Sequence, residues 1–133
     1  MRVADLMQSE VETVPDDIRV TDALLTLADT RVSALPVLDR SGRLVGVISR
    51  TDILASEEEV GEETARNALF ENTSVRDMMT APALTIAPGA SIREAAQQML
   101  SAGVHRLVVT QGEQVVGIIS VSDIIGAVAA GRL

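Results

Sequence analysis

The chain repeats itself, and the repeat limits its folds more than any other feature. Val3-Ala4-Asp5-Leu6-Met7 returns as Val75-Arg76-Asp77-Met78-Met79, an offset of 72, and the same offset lays Thr13-Val14 on Thr85-Ile86. It also lays Val20, Ala23, Leu24, Leu27 and Ala28 on Ile92, Ala95, Ala96, Met99 and Leu100. Apolar residues at i, i+3, i+4, i+7 and i+8 predict one amphipathic helix in each copy. Two strands follow in each: Ala34-Leu35-Pro36-Val37-Leu38 then Leu44-Val45-Gly46-Val47-Ile48-Ser49, and Arg106-Leu107-Val108-Val109-Thr110 then Val115-Val116-Gly117-Ile118-Ile119-Ser120. The offset is now 71, a residue having been lost between Asp39-Arg40-Ser41-Gly42 and Gln111-Gly112-Glu113, where a hairpin loop absorbs such a change. A last helix begins near Thr51-Asp52 or Ser122-Asp123. Each copy therefore reads strand, helix, strand, strand, helix, an α/β (α+β) unit, with residues 1–70 as the first repeat plus an acidic helical linker and 71–133 as the second.

A unit of about 60 residues buries too little surface to be stable by a comfortable margin, which gives a physical reason for duplication. The expected arrangement is a pair about a pseudo-twofold that creates two equivalent clefts. With one Phe as the only aromatic in 133 residues, the core has to come from Val, Ile, Leu, Ala and Met. Without cysteine there is no disulfide, thiolate metal site or cysteine nucleophile.

The start of the chain lacks the apolar core of a signal peptide, and no run approaches the roughly 18 apolar residues of a membrane span. A cytoplasmic protein is expected. A net charge of −8 and the near absence of aromatics oppose nucleic-acid binding, which relies on cationic side chains and stacking platforms.

Local signals refine the plan. Pro36 has no N–H to give to a ladder, so its strand is expected at an edge or with that side free. Ser91-x-x-Glu94 is a capping box for the second main helix; the first has Arg19 there, and Asp17 is the substitute cap. Residues 55–74, with Glu57-Glu58-Glu59 and Glu62-Glu63, read as an extended helix with a solvated acidic face; no His or clustered Asp suggests a metal there.

The sharpest chemical pattern is Gly46-Val47-Ile48-Ser49-Arg50-Thr51-Asp52 with Gly117-Ile118-Ile119-Ser120-Val121-Ser122-Asp123. A strand ends at a hydroxyl and a hydroxyl–Asp pair opens a helix, where free N–H groups and the positive dipole end favour anionic or polyhydroxyl ligands. The Asp can accept hydrogen bonds from adjacent hydroxyls such as those of a ribose. Helix capping explains the same residues as well; recurrence with the flanking Gly puts the two readings level. Val104-His105-Arg106-Leu107 is the second candidate: the single His beside an Arg whose planar fork suits phosphate, against a surface Arg and a His capping the helix end. The first copy has Val32-Ser33-Ala34-Leu35 there, so the two clefts differ chemically. No Walker A loop, dinucleotide Gly pattern, His-Glu-x-x-His or Gly-x-Ser-x-Gly elbow is present, and nothing in the spacing suggests an enzyme.

From Val3 to about Val128 these residues resemble the cystathionine-β-synthase (CBS) domain pair, or Bateman module. The resemblance rests on the two Val-x-Asp-Leu/Met-Met segments, on Arg31-Val32-Ser33-Ala34-Leu35-Pro36-Val37-Leu38-Asp39, on His105-Arg106-Leu107-Val108-Val109, and on the two Ser-x-Ser/Thr-Asp ends. Segments 31–39 and 104–109 look like those of the AMP-activated protein kinase γ subunit. The resemblance implies a regulatory, energy-sensing module that takes AMP, ADP or ATP, or in other members S-adenosylmethionine or NAD-type ligands.

The resemblance also implies two sets of ligand-binding residues. One is Asp52, Ser49 and Thr51 with Thr80, Thr85, Val104, His105 and Arg106; the other is Asp123, Ser120 and Ser122 with Thr13, Ser33 and Ala34. The Asp residues would hold ribose hydroxyls and His105 and Arg106 phosphates, so the Asp52 set is expected to suit a phosphorylated ligand better. Family members commonly form disk-shaped homodimers, four units in all, which signal to a regulated partner. The competing reading is an assembly module without a nucleotide, its Ser-x-Ser/Thr-Asp ends acting only as caps.

Overall fold

A computed structural model of the chain describes residues 1–133 apart from Arg31, Val60 and Gly61; at 55–59 and Thr64 the backbone alone is described. The elements are, in order, α1 (Val3–Leu6), β1 (Val14–Pro15), α2 (Val20–Thr30), β2 (Ala34–Leu38), β3 (Leu44–Ser49), α3 (Arg50–Glu59), α4 (Glu63–Asn72), α5 (Val75–Met78), β4 (Thr85–Ile86), α6 (Ile92–Ala102), β5 (Arg106–Gln111), β6 (Gln114–Ser120) and α7 (Val121–Ala129). The repeating strand-helix-strand-strand-helix pattern is present twice. The short helices α1 and α5, which open the two repeats, and α4 come in addition.

Each repeat forms a three-stranded sheet, β1-β2-β3 or β4-β5-β6, in which the first pair is parallel and the second antiparallel. The hairpin loops follow their turn chemistry. Asp39 Oδ1 accepts from Ser41 N at 2.8 Å and Arg43 N at 2.9 Å, and Gly42 and Gly112 take the left-handed conformation at φ 80 and 61. Pro36 does not lie at an edge, because β2 is the middle strand. The equivalent residue of the other unit, Val108, donates its amide to Leu84 O, so proline forgoes one bond at the end of the short β1 pairing.

The compact units are not the two repeats taken whole. Residues 1–11 fold with 84–133, and residues 12–83 form the other unit. The opening segments are exchanged, and matching hydrogen bonds hold them. In the first-named unit Val3 N donates to Ala90 O, Ala4 N to Pro88 O and Ile92 N to Met1 O; in the other Val75 N donates to Ile18 O, Arg76 N to Asp16 O and Val20 N to Thr73 O. Val3 and Val75, both fully buried, are each part of the core they dock on.

The helices bury the predicted faces with one exception. Val20, Ala23 and Leu27 and their counterparts Ile92, Ala95 and Met99 are buried. The last position of the pattern turns outward: Leu100 is 83% exposed. Ser91 Oγ accepts from Glu94 N at 3.1 Å, as its cap position predicts. Among the described residues Asp17 does not cap α2, whose first amide bonds to Thr73 O. The only Phe, Phe70 on α4, is buried in the core of the 12–83 unit. The linker expected as one extended helix is instead broken at Glu62, whose backbone is extended at φ −108 and ψ 139, so α3 and α4 are separate helices; the side chains of Glu57–Glu59 lie outside the described residues, and Glu62 and Glu63 are exposed.

Candidate functional site

Within the 12–83 unit, β3 runs into α3 without a loop, so Ser49 becomes the cap of the helix. Asp52 Oδ2 accepts from Ser49 N at 2.9 Å and from Ser49 Oγ at 3.0 Å, while Ser49 Oγ accepts Asp52 N at 3.2 Å. This is the reciprocal capping arrangement. Asp52 Oδ1 accepts from Thr80 Oγ1 at 3.0 Å, so Ser49, Asp52 and Thr80 form one cluster. Thr80, far away in sequence, arrives with the docked opening segment of the second repeat.

That docking explains the glycine before each hydroxyl end. Thr80 N and O pair with Val47 O and N at 2.8 and 3.0 Å. A Cβ on Gly46 would lie 2.6 Å from Met79 Sδ and 2.8 Å from Thr80 O, so only glycine admits the segment. The other unit copies the arrangement: Gln8 pairs with Ile118 at 2.9 and 3.0 Å, and a Cβ on Gly117 would lie 2.6 Å from Met7 Sδ and 2.9 Å from Gln8 O.

In that other unit Asp123 Oδ2 accepts from Ser120 N at 2.8 Å and Ser120 Oγ at 2.9 Å, and Ser120 Oγ accepts Asp123 N at 3.2 Å. Capping is therefore present at both ends, and in both it uses Oδ2. Among the described residues nothing donates to Asp123 Oδ1. Gln8, standing where Thr80 stands, is exposed and makes no side-chain hydrogen bond among the described residues.

The remaining candidates fall at the same strand ends. Thr51 and Ser122 are exposed on the first turns of α3 and α7. Ser33 is exposed and its carbonyl accepts Arg50 N at 3.1 Å; Ala34, opposite Ser49 in the ladder, is buried. Thr13 is half-buried just before β1, and Thr85 is exposed on β4 with its carbonyl accepting Gln98 Nε2 at 3.0 Å. Val104 is half-buried and His105 exposed, its carbonyl taking Val121 N at 2.9 Å. Arg106 lies opposite Ser120 in the ladder, and its Nε is buried with no partner among the described residues. His105 does not close the helix end. Gly103, at φ 67, does so by donating to Met99 O.

Arg50 belongs to the hydroxyl–Asp motif, yet the pattern gave it no task. Its Nε donates to Val32 O at 3.3 Å and its Nη2 to Leu27 O at 3.0 Å, closing the end of α2 where the second repeat uses Gly103. The signal was readable as the absence of a glycine at position 31. Met79 and Met7 were legible as repeat matches but not as the side chains covering Gly46 and Gly117.

The CBS domain family model matches residues 3–59 and 75–130, and the chain belongs to that family. It is 28% identical to an uncharacterised protein of Methanocaldococcus jannaschii, over 96% of this chain and 90% of that one. It is 31% identical to the γ3 subunit of human 5′-AMP-activated protein kinase over 88% of this chain, spanning 23% of that protein. A solved structure of CBSX2 in complex with AMP superposes with a TM-score of 0.76 at 27% identity, covering 99% of this chain and 98% of that one. Among the described residues no helix is long and apolar enough to cross a membrane, and no cluster of three potential metal ligands occurs.

Proposed function

We propose that the chain is a regulatory module that binds an adenosine-containing ligand, with Asp52 and Asp123 receiving ribose hydroxyls. The observation that carries this reading is the division of labour within the Asp123 carboxylate: Oδ2 caps α7, and Oδ1 has no partner among the described residues. A pure cap requires only the first oxygen. Arg106 Nε, buried and without a partner among the described residues, is the donor for an acidic group of the ligand, and a phosphate fits its planar fork. His105, exposed beside it, offers a ring N–H as a second phosphate donor. AMP is the first candidate, since the CBSX2 structure carries it at 27% identity; ADP, ATP and S-adenosylmethionine follow.

A thermal-shift panel of AMP, ADP, ATP, S-adenosylmethionine and NAD tests the reading. Ligand at about 100 times its dissociation constant adds roughly 2.7 kcal/mol of stability. A clear upward shift with at least one compound is expected; no shift with any of them would contradict the assignment.

A second observation favours assembly alongside binding. Helices α6 and α7 border an apolar groove of about 450 Å³, lined by Met99, Leu100, Val104, Val121, Ile124 and Ile125. Leu100, Ile125 and Val128 are exposed on these helices. Apolar groups in such number on one face suit a homodimer, the four-unit form implied by the family resemblance, from which a cytoplasmic module would signal to the protein it regulates. Sedimentation of Ile125→Glu against wild type tests the dimer: the variant should be monomeric, and two identical masses would refute this arrangement.

A further inference from the structure

Met7 and Met79 do the same work in the two units, and each presents its sulfur to a strand glycine. Met79 Sδ would lie 2.6 Å from a Cβ on Gly46, and Met7 Sδ 2.6 Å from one on Gly117. Elsewhere each side chain packs on a core, Met79 on that of the 12–83 unit and Met7 on that of the other. Both residues are half-buried, so part of each reaches solvent, whereas Met99 is 3% exposed. The residue after each methionine is tied to the covered strand by a pair of backbone hydrogen bonds, Gln8 to Ile118 and Thr80 to Val47.

We infer that Met7 and Met79 are oxidation sites whose modification by a peroxide releases the docked segments. A leucine of similar volume would cover a glycine equally well; methionine adds a thioether that a peroxide oxidises. In that step a sulfur lone pair attacks one peroxide oxygen, the O–O bond breaks, and the products are the sulfoxide and water. The sulfur is oxidised and the peroxide oxygen reduced. The new oxygen has no place in the native packing. Toward the glycine there is no room even for a carbon, and toward the core the sulfoxide would bury a polar group without a partner. The side chain therefore turns out to water, the glycine loses its cover, and the backbone pair beside it opens. In the 12–83 unit this also draws Thr80 Oγ1 away from Asp52 Oδ1. A thiol-dependent methionine sulfoxide reductase reverses the step, giving back the thioether with a disulfide and water. The inference stands apart from the adenosine reading, since it concerns only the docking of the segments.

The experiment treats the full chain with hydrogen peroxide, maps sulfoxides by mass spectrometry and follows amide hydrogen exchange. Trypsin, cutting after arginine, puts Met7 in peptide 3–19 and Met99 in 94–106; Met79 shares 77–93 with Met78, and fragment ions resolve the two. Met7 and Met79 should oxidise in the folded protein before Met99. Exchange should then accelerate about 10-fold or more at Gln8, Ile118, Val47 and Thr80, and by less at the sheet amide of Val108. Met79→Leu should spare Val47 and Thr80 and leave Gln8 and Ile118 responsive; Met7→Leu should do the reverse, and the double variant should respond at neither place. Should a Leu variant fail to fold, wild type treated with peroxide and then with the reductase keeps the test open, because native exchange should return. Oxidation of Met7 and Met79 no faster than that of Met99 overturns the inference. So do unchanged exchange with both sulfoxides present, a double variant that responds like wild type, and a reductase-treated protein that stays fast-exchanging.

Discussion

The two units solve one structural problem in the same way and then diverge at their hydroxyl–Asp ends. In both, a methionine from the exchanged opening segment covers a strand glycine, Met79 over Gly46 and Met7 over Gly117. In both, a serine ends the strand and an aspartate three residues on caps the helix with Oδ2. The differences lie at Thr80 against Gln8, Ser33-Ala34 against His105-Arg106, and Arg50 against Val121. Shared features maintain the fold and unshared ones change the chemistry of each end, so a duplicated scaffold can present two chemically different ends.

The largest expected effect strikes what the units share. Gly46→Ala or Gly117→Ala drives a methyl group into a methionine sulfur and a backbone oxygen, and each should destabilise by about 3 kcal/mol, read from the urea midpoint. Gly126→Ala, on α7 with nothing within 4 Å of the added carbon, is the control and should instead gain about 0.5 kcal/mol through helix propensity. A harmless Gly46→Ala would break the claim that close approach positions Thr80. The next effect erases a difference between the units. Arg106→Ala gives the second repeat the residue of the first, and AMP affinity should fall about 10-fold while adenosine affinity holds, as measured by calorimetry. Equal losses for the two ligands would mean that Arg106 does not meet the phosphate. The smallest destabilisation comes from Arg50→Val, which removes one bond to Leu27 O in the last turn of α2 and one to Val32 O just beyond it, and should lower stability by about 1 kcal/mol with AMP binding unchanged.

Much of this was legible in the sequence because repetition doubles every signal. The apolar spacing from Val20 to Leu27 and from Ile92 to Met99, the turn residues Asp39, Gly42 and Gly112, and the Ser91 cap each have a local physical cause. Exchange of the opening segments had none. Whether Val3 packs on its own repeat or the other is a question of chain routing, and both answers bury the same residues. Pro36 left two placements open, an edge strand or a free N–H side, and the structure takes the second, because the neighbouring β1 is too short to need that bond. At the candidate ends, the sequence showed that Asp52 and Asp123 recur but not that Oδ2 alone does the capping. It also placed Thr80 near Asp52 only through family resemblance, whereas the hydrogen bond between them follows from the docking that Gly46 allows.

The most direct test of the account is an AMP titration of wild type, Asp52→Asn, Asp123→Asn and the double variant, with folding checked by circular dichroism. Asparagine preserves much of the cap and removes the charge that ribose hydroxyls would meet. The account predicts that each single variant loses one binding event and the double variant loses both while remaining folded. AMP binding undiminished in the folded double variant would contradict it.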